Sequence, residues 1–221
     1  MNHEATDNDT KARLLDAAEI LFGQEGFEAI SVRTLTDLAY VNLGAVTYHF
    51  GSKEALYKSA SLRRFREINI RRIAMLEEVE SRMVEQLPTL EEVLNCLLRP
   101  PIEASKEHPE FFRLMARNLI TPPAFMDQVL PEEMQSTIMR FSKVVQRILP
   151  DLSIEQIRAR SLFCGGALLA TIGLPNSPIR NSAREAEAEE IEAIVQEIVG
   201  FCAKGYTASA ALTLPKRRAE S

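Results

Sequence analysis

Along most of the chain, apolar residues return every three or four positions, and no stretch longer than a few residues alternates apolar with polar as an exposed strand would. The spacing predicts an all-α protein of about nine helices. A first helix is expected from about Thr10 as N-cap, with Leu14, Ala18 and Leu21 on one stripe and Phe22 beside it, ending near Gly26 so that Phe27 turns inward. Ser31 is the expected N-cap of a short second helix that carries Val32, Leu35, Leu38 and Ala39 inward. Residues 42–49 form a third, with Leu43, Val46 and Phe50 available to the core and Gly51 as its stop. Ser52, followed by Glu54 in the positive first turn, opens a long fourth helix expected to reach about Met83, ahead of Pro88.

Further starts are marked by three capping boxes, Thr89/Glu92, Ser153/Gln156 and Ser182/Glu185, and by Pro109 and Pro131, which suit a first helical position. Three short helices thus precede a larger helical body, with the division inside the fourth helix. The expected units are 1–56, 57–206 and a loose tail at 207–221. Within the body, residues 153–173 and 184–205 form two apolar-rich helices, with Gly165, Gly166 and Ala167 permitting close backbone approach.

Composition adds little until it is divided. The 221 residues are 46% hydrophobic and 26% charged, ordinary for a globular chain, and the net charge of −5 does not itself suggest an anionic partner. Residues 31–72, however, carry 8 basic and 3 acidic side chains, an isolated basic stretch between acidic flanks. Arg63, Arg64, Arg66, Arg71 and Arg72 within it read as a solvated or salt-bridged face of the fourth helix. Three widely spaced cysteines fit a reducing compartment, and the polar, acidic start lacks a secretory pattern, so a cytoplasmic location is expected. The uncharged run at 162–179 contains three glycines and two prolines and makes a poor membrane span, so no membrane partner is expected.

Two short helices joined by a tight turn and followed by a long one match a helix-turn-helix, whose second member enters the DNA major groove. That groove is about 12 Å wide, so the entering helix must be thin, as Asn42, Leu43, Gly44, Ala45 and Thr47 are. Val46 and Phe50 face one side for packing and leave Gly44, Thr47 and Tyr48 toward another. Lys53 lies at a helix start, where the dipole disfavours a cation, which points to an external anion such as DNA phosphate. Read without their neighbours, Tyr48 is a half-buried aromatic, His49 a helix-terminal cap, and Thr47 and Asn42 surface polar residues.

The stretch "SVRTLTDLAYVNLGAVTYHFGSKEALY", preceded by "LLDAAEILFGQEGFEAI", resembles the DNA-binding domain of the TetR family of bacterial transcriptional regulators over residues 11–57. Together with "HPEFFRLMARNL" it resembles, within that family, a subgroup of fatty-acid-responsive regulators similar to PsrA. The resemblance implies an N-terminal helix-turn-helix DNA-binding domain followed by a larger C-terminal ligand-binding and dimerisation domain. It implies base-edge or sugar contacts from Asn42, Leu43, Gly44 and Thr47, phosphate contacts from Tyr48, His49 and Lys53, and backbone contacts from Ser31 and Arg33. The last two body helices become the homodimer interface, and the partners become double-stranded operator DNA and a small-molecule effector. Tyr40 and Thr36 depart from the pattern, which places Gly and Ala there; a positive φ at Tyr40 would strain the turn.

The body concentrates bulky apolar groups, of which Phe112, Met115, Phe125, Met139 and Phe163 are candidates to line an effector cavity, with Arg117 and Asn118 to hold a polar end. An apolar effector bearing a carboxylate matches that lining, as does an aromatic or cationic drug. No cofactor and no metal are expected, since His3, His49 and His108 are scattered and no cysteine pair has ligand spacing. No catalytic constellation stands out. A ligand-released repressor is the expected function; a constitutive DNA-binding regulator without an effector, and a helical enzyme using Cys164 or His108, are the alternatives.

Overall fold

A computed structural model of the chain describes residues 2–82, 86–174, 177 and 187–209, with side chains from residue 7 onward. Among the described residues every regular element is helical: α1 (Asn2–Glu25), α2 (Val32–Ala39), α3 (Ala45–Phe50), α4 (Lys53–Ser81), α5 (Leu90–Glu107), α6 (Pro109–Ile120), a 3-10 turn (Ala124–Met126), α7 (Val129–Ile148), α8 (Ile154–Gly173) and α9 (Ala188–Thr207). None is long and apolar enough to cross a membrane. The expected end of α4 near Met83, the Ser182/Glu185 capping box and most of the tail fall outside the described residues.

The first four helices form as the caps dictate, with corrections that have local causes. Thr10 is not an N-cap: α1 starts at Asn2 and gains the Asp9–Arg13 pair, 3.0 Å apart at i,i+4. Asp7, Asn8 and Asp9 are polar and exposed, so apolar periodicity gives no sign of the helix there. Ser31 caps α2 as expected, its hydroxyl accepting from the Thr34 amide at 3.1 Å. Leu38 is 41% exposed rather than inward, and Thr36 is buried instead. The Thr36 hydroxyl donates back to the carbonyls of Val32 (3.2 Å) and Arg33 (3.0 Å), so it occupies an apolar site with its polar atom satisfied. The third helix is shorter than its sequence pattern, because residues 42–44 form a turn in which the Asn42 carbonyl accepts from the Ala45 amide at 2.9 Å. Leu43 on that turn is 60% exposed and does not enter the core.

Tyr40 ends α2 with φ 54° and ψ 48°, the left-handed region. Two bonds fix it there, Tyr40 amide to Asp37 carbonyl (3.2 Å) and Val41 amide to Thr36 carbonyl (3.0 Å), the pair that defines a Schellman stop. For a residue with a Cβ this conformation costs about 1–2 kcal/mol.

In the body, capping boxes at Thr89/Glu92 and Ser153/Gln156 start α5 and α8, and Pro109 opens α6. Pro131 sits at the third position of α7, not the first; its missing amide would have had no intrahelical partner at either place. Helix α6 is the centre of the packing. A Cβ added at Gly23 of α1 would lie 2.9 Å from the Glu110 carbonyl oxygen, and one at Gly173 of α8 would lie 2.7 Å from that of Phe112. Both neighbours therefore touch the α6 backbone directly, which only glycine permits.

Helix α5 contains Pro100 and Pro101. Pro101 has no N–H for the Leu97 carbonyl, and Arg72 of α4 supplies the missing donor, its Nε lying 2.8 Å from that oxygen. Arg72 thus contradicts the expected solvated or salt-bridged role. It is buried in the α4 stripe Phe65, Ile68, Leu76 and Val79, its other described bond goes to Asn69 Oδ1 at 3.0 Å, and burial pushes its guanidinium down to about 10. Arg72→Leu should cost about 1–3 kcal/mol in urea unfolding, because the Leu97 carbonyl is left without a partner. Adding Pro101→Ala should recover much of that loss by returning the helical N–H; no recovery would show that the guanidinium does not act through Leu97.

Candidate nucleic-acid interface

Ser31, Arg33, Asn42, Leu43, Gly44, Thr47 and Tyr48 are all exposed, at the N-cap of α2, on α2 itself, on the turn after it and on α3, and Asn42, Gly44 and Tyr48 share one recess. They are exposed because the opposite faces of the same short helices supply Leu35, Ala39, Ala45 and Val46 to the core. Gly44 has φ −70° and ψ −12°, and a Cβ there would meet nothing within 4 Å. Neither backbone conformation nor internal packing asks for glycine there. Beside it lies an open recess of about 820 Å³ between α1 and the turn, lined by residues that include Arg13, Tyr40, Asn42, Gly44 and Tyr48. Arg13, which sequence reasoning missed, holds this turn by donating from one guanidinium nitrogen to the carbonyls of Ala39 and Tyr40, at 3.3 Å each. The two ends are 26 and 27 residues apart, so no local pattern reveals the contact.

Two expected phosphate contacts are engaged inside the chain. The side chain of His49 is only 7% exposed, with Nδ1 3.7 Å from Asp7 Oδ1, because the longer α1 reaches over it. Lys53 Nζ donates to the carbonyls of Phe27 (2.8 Å) and Ile30 (2.7 Å) and lies 4.0 Å from the centroid of the Phe27 ring. Its ammonium is thus held by two neutral backbone carbonyls in the α1–α2 loop, and Lys53 staples that loop to the start of α4.

Much of the basic stretch is engaged in ion pairs, as expected of a salt-bridged face of α4, with Arg66 and Arg71 themselves exposed. Arg63 meets Asp16 and Glu19 of α1, each at 2.6 Å; Arg66 meets Glu133 of α7 at 2.7 Å; Arg71 pairs with Glu103 of α5. Burial pushes the Glu19 carboxyl up, with Arg63 opposing it. These pairs tie α4 to its neighbours. Arg33, by contrast, stays 84% exposed with Asp37 at 3.9 Å.

The seven effector candidates do not converge. Asn118 accepts from the Tyr57 hydroxyl at 2.6 Å and donates to Ser61 Oγ at 3.1 Å, a buried link from α6 to α4. Phe125 packs on Phe27 (4.8 Å between centroids) and Tyr57 (5.6 Å), and Arg117 donates to the Gln24 carbonyl at the end of α1 at 2.8 Å. Phe112 and Met115 are buried on α6, Met139 meets Arg158 through its sulfur at 3.8 Å, and Phe163 is 66% exposed on the outside of α8. Asn118, Phe125 and Arg117 thus act where the three-helix unit meets the body. Among the described residues no group of three or more His, Cys, Asp and Glu is placed to hold a metal.

An exposed thin helix, a capped partner helix and a stapled loop on a helical body define a helix-turn-helix DNA-binding regulator. Residues 14–60 match the family described as bacterial regulatory proteins, tetR family, and residues 95–205 match the tetracycline repressor-like C-terminal domain. The chain belongs to the TetR family of transcriptional regulators, whose members are not enzymes, and this removes the helical-enzyme alternative. It is 24% identical over 213 residues, 92% of this chain and 68% of the other, to the uncharacterized HTH-type transcriptional regulator YerO of Bacillus subtilis. Two solved structures share the fold: the fatty acid degradation regulator FadR of Bacillus halodurans (14% identical, TM-score 0.61, covering 88% of this chain and 98% of that one) and the TetR family regulator PfmR of Thermus thermophilus (17%, 0.56, 87% and 94%).

Replacing Lys53 by Met keeps the stem and removes the donors. Thermal or urea unfolding should show a loss of about 1.5–3 kcal/mol, the range for hydrogen bonds to a charged group. The salt dependence of DNA binding should keep its wild-type slope; a slope shallower by about 0.9 would instead mean that Lys53 neutralises a phosphate.

Proposed function

We propose that this chain is a ligand-released repressor that binds a two-fold operator as a homodimer, with residues 1–56 as the reader and 57–206 as the effector and dimerisation domain. The observation that carries the reading is the buried Tyr57–Asn118–Ser61 link, since it joins α4, which is continuous with the reader, to α6, which is embedded in the body. Burial pushes the Tyr57 hydroxyl up to about 12, so it stays a proton donor to Asn118 at ordinary pH. Asn42, Leu43, Gly44 and Thr47 meet base edges or sugars, Tyr48 meets phosphate, and Ser31 and Arg33 meet the backbone of the same half-site. Two readers must present themselves about 34–36 Å apart to address successive turns of one duplex face.

The homodimer is supported by the outer faces of α8 and α9, where Leu162, Phe163 and Phe201 are exposed apolar side chains and Gly165, Gly166 and Gly200 have open space above them. Phe163 belongs to this face rather than to a cavity. An effector that is apolar and bears a carboxylate favours a reader spacing other than the one DNA requires by shifting α6 and α4. Ligand must then weaken DNA binding by the factor by which DNA weakens ligand binding.

Titrating straight-chain fatty acids of increasing length against the free chain and against its complex with an operator obtained by selection from random duplexes tests the effector. Reciprocal weakening is expected; equal affinities in both states exclude ligand release. Phe163→Glu together with Phe201→Glu should give a helical monomer in sedimentation that no longer holds the operator. Asn42→Ala and Thr47→Ala should each change preference at particular base pairs by about 1–3 kcal/mol; uniform losses from both would reject base contact.

A further inference from the structure

Tyr40 is held in a conformation that L side chains resist, yet its own side chain takes no visible part in the fold. Its φ of 54° lies in the left-handed region, it is 85% exposed, and no hydrogen bond or ring contact to its phenol occurs among the described residues. Backbone bonds alone hold it: the Schellman pair at the end of α2 and the Arg13 guanidinium on its carbonyl. Glycine would satisfy every one of these contacts without strain. A large, exposed aromatic at a strained position, whose side chain makes no hydrogen bond or ring contact among the described residues, points to a partner outside the subunit.

The location says which partner. Tyr40 lines the same open recess as Asn42, Gly44 and Tyr48, so two exposed phenols bracket the turn that leads into α3. Arg13 and His49 line the recess as well, but Arg13 is engaged on the carbonyls of Ala39 and Tyr40 and His49 faces Asp7, while Lys53 lies on two loop carbonyls, so the two phenols are the exposed donors on either side of Asn42. A phenol suits that place: its hydroxyl donates to a phosphate oxygen while its ring lies on the adjoining sugar. Resting on the DNA-binding reading above, we propose that Tyr40 is a further DNA-contacting residue, donating its phenolic hydrogen bond to a backbone phosphate of the half-site.

The test compares full-length wild type with Tyr40→Phe, Tyr40→Gly and Tyr40→Asn, on a duplex selected by the wild type and on a scrambled duplex, over a series of salt concentrations, alongside thermal unfolding. The glycine and asparagine variants, which accept a positive φ, should unfold no earlier than wild type yet bind both duplexes about tenfold more weakly. Tyr40→Phe should lose about fivefold, as expected for one hydrogen bond. All three should keep the wild-type salt slope, because a neutral donor displaces no counter-ion. Wild-type affinity in the glycine and asparagine variants would overturn the proposal, as would a loss confined to particular base pairs, or weaker binding that tracks earlier unfolding. Failure of the wild type itself to hold any duplex at low salt would sink the DNA reading first, and this assignment with it.

Discussion

The structure turns on the way α6 is gripped from both sides. Glycines at 23 and 173 let α1 and α8 lie against its backbone, and a larger residue at either place would collide with a carbonyl rather than with a movable side chain. Between these contacts the Tyr57–Asn118–Ser61 hydrogen bonds cross a buried apolar region, where leaving any one of the three polar groups unpaired would be costly. Arg117 adds a fixed point by holding the last turn of α1 through the Gln24 carbonyl. Helix α6 is thus in direct contact with both α1 and α4, the two long helices against which α2 and α3 are packed.

Charge plays a different part from the one that composition suggests. The basic excess of residues 31–72 resembles an electrostatic footprint for nucleic acid, but Arg63, Arg66 and Arg71 neutralise acids on α1, α7 and α5, and Arg72 serves a carbonyl that a proline has orphaned. The same holds for Lys53. These cations brace the long α4 against its neighbours, so most of the basic excess lies away from the exposed face of α2 and α3, which carries Arg33 beside Ser31, Thr47 and Tyr48. Gly44, at the start of α3, is free of any internal requirement.

Much of this could be read from residue order alone, because it depends on interactions between near neighbours. Ser31, Ser52, Thr89 and Ser153 reach amides three residues away, and Gly26 and Gly51 stop helices through their own positive φ, so each boundary is written within one turn of chain. The exposure of Gly44 and Thr47 was legible for the same reason, since apolar partners on the same short helix specify which face is left over, whereas Leu43, which that pattern offers to the core, is exposed on the turn. The effector candidates fared differently. Phe125, Asn118 and Arg117 share a composition suited to a cavity, yet what each does depends on Tyr57, Phe27 and Gln24, far away in sequence.

Sequence by itself determined the all-helical class, most of the caps and the three-helix unit, since helix periodicity and capping act over three or four residues; the positive φ of Tyr40 came from the structure. Only the tertiary structure decided where the long polar side chains finish: Lys53 on a loop, His49 under α1, Arg72 at a proline gap, Asn118 between two helices. Such side chains span several ångströms and bond to whatever acceptor the packing brings within reach, and packing joins segments that the linear pattern leaves tens of residues apart.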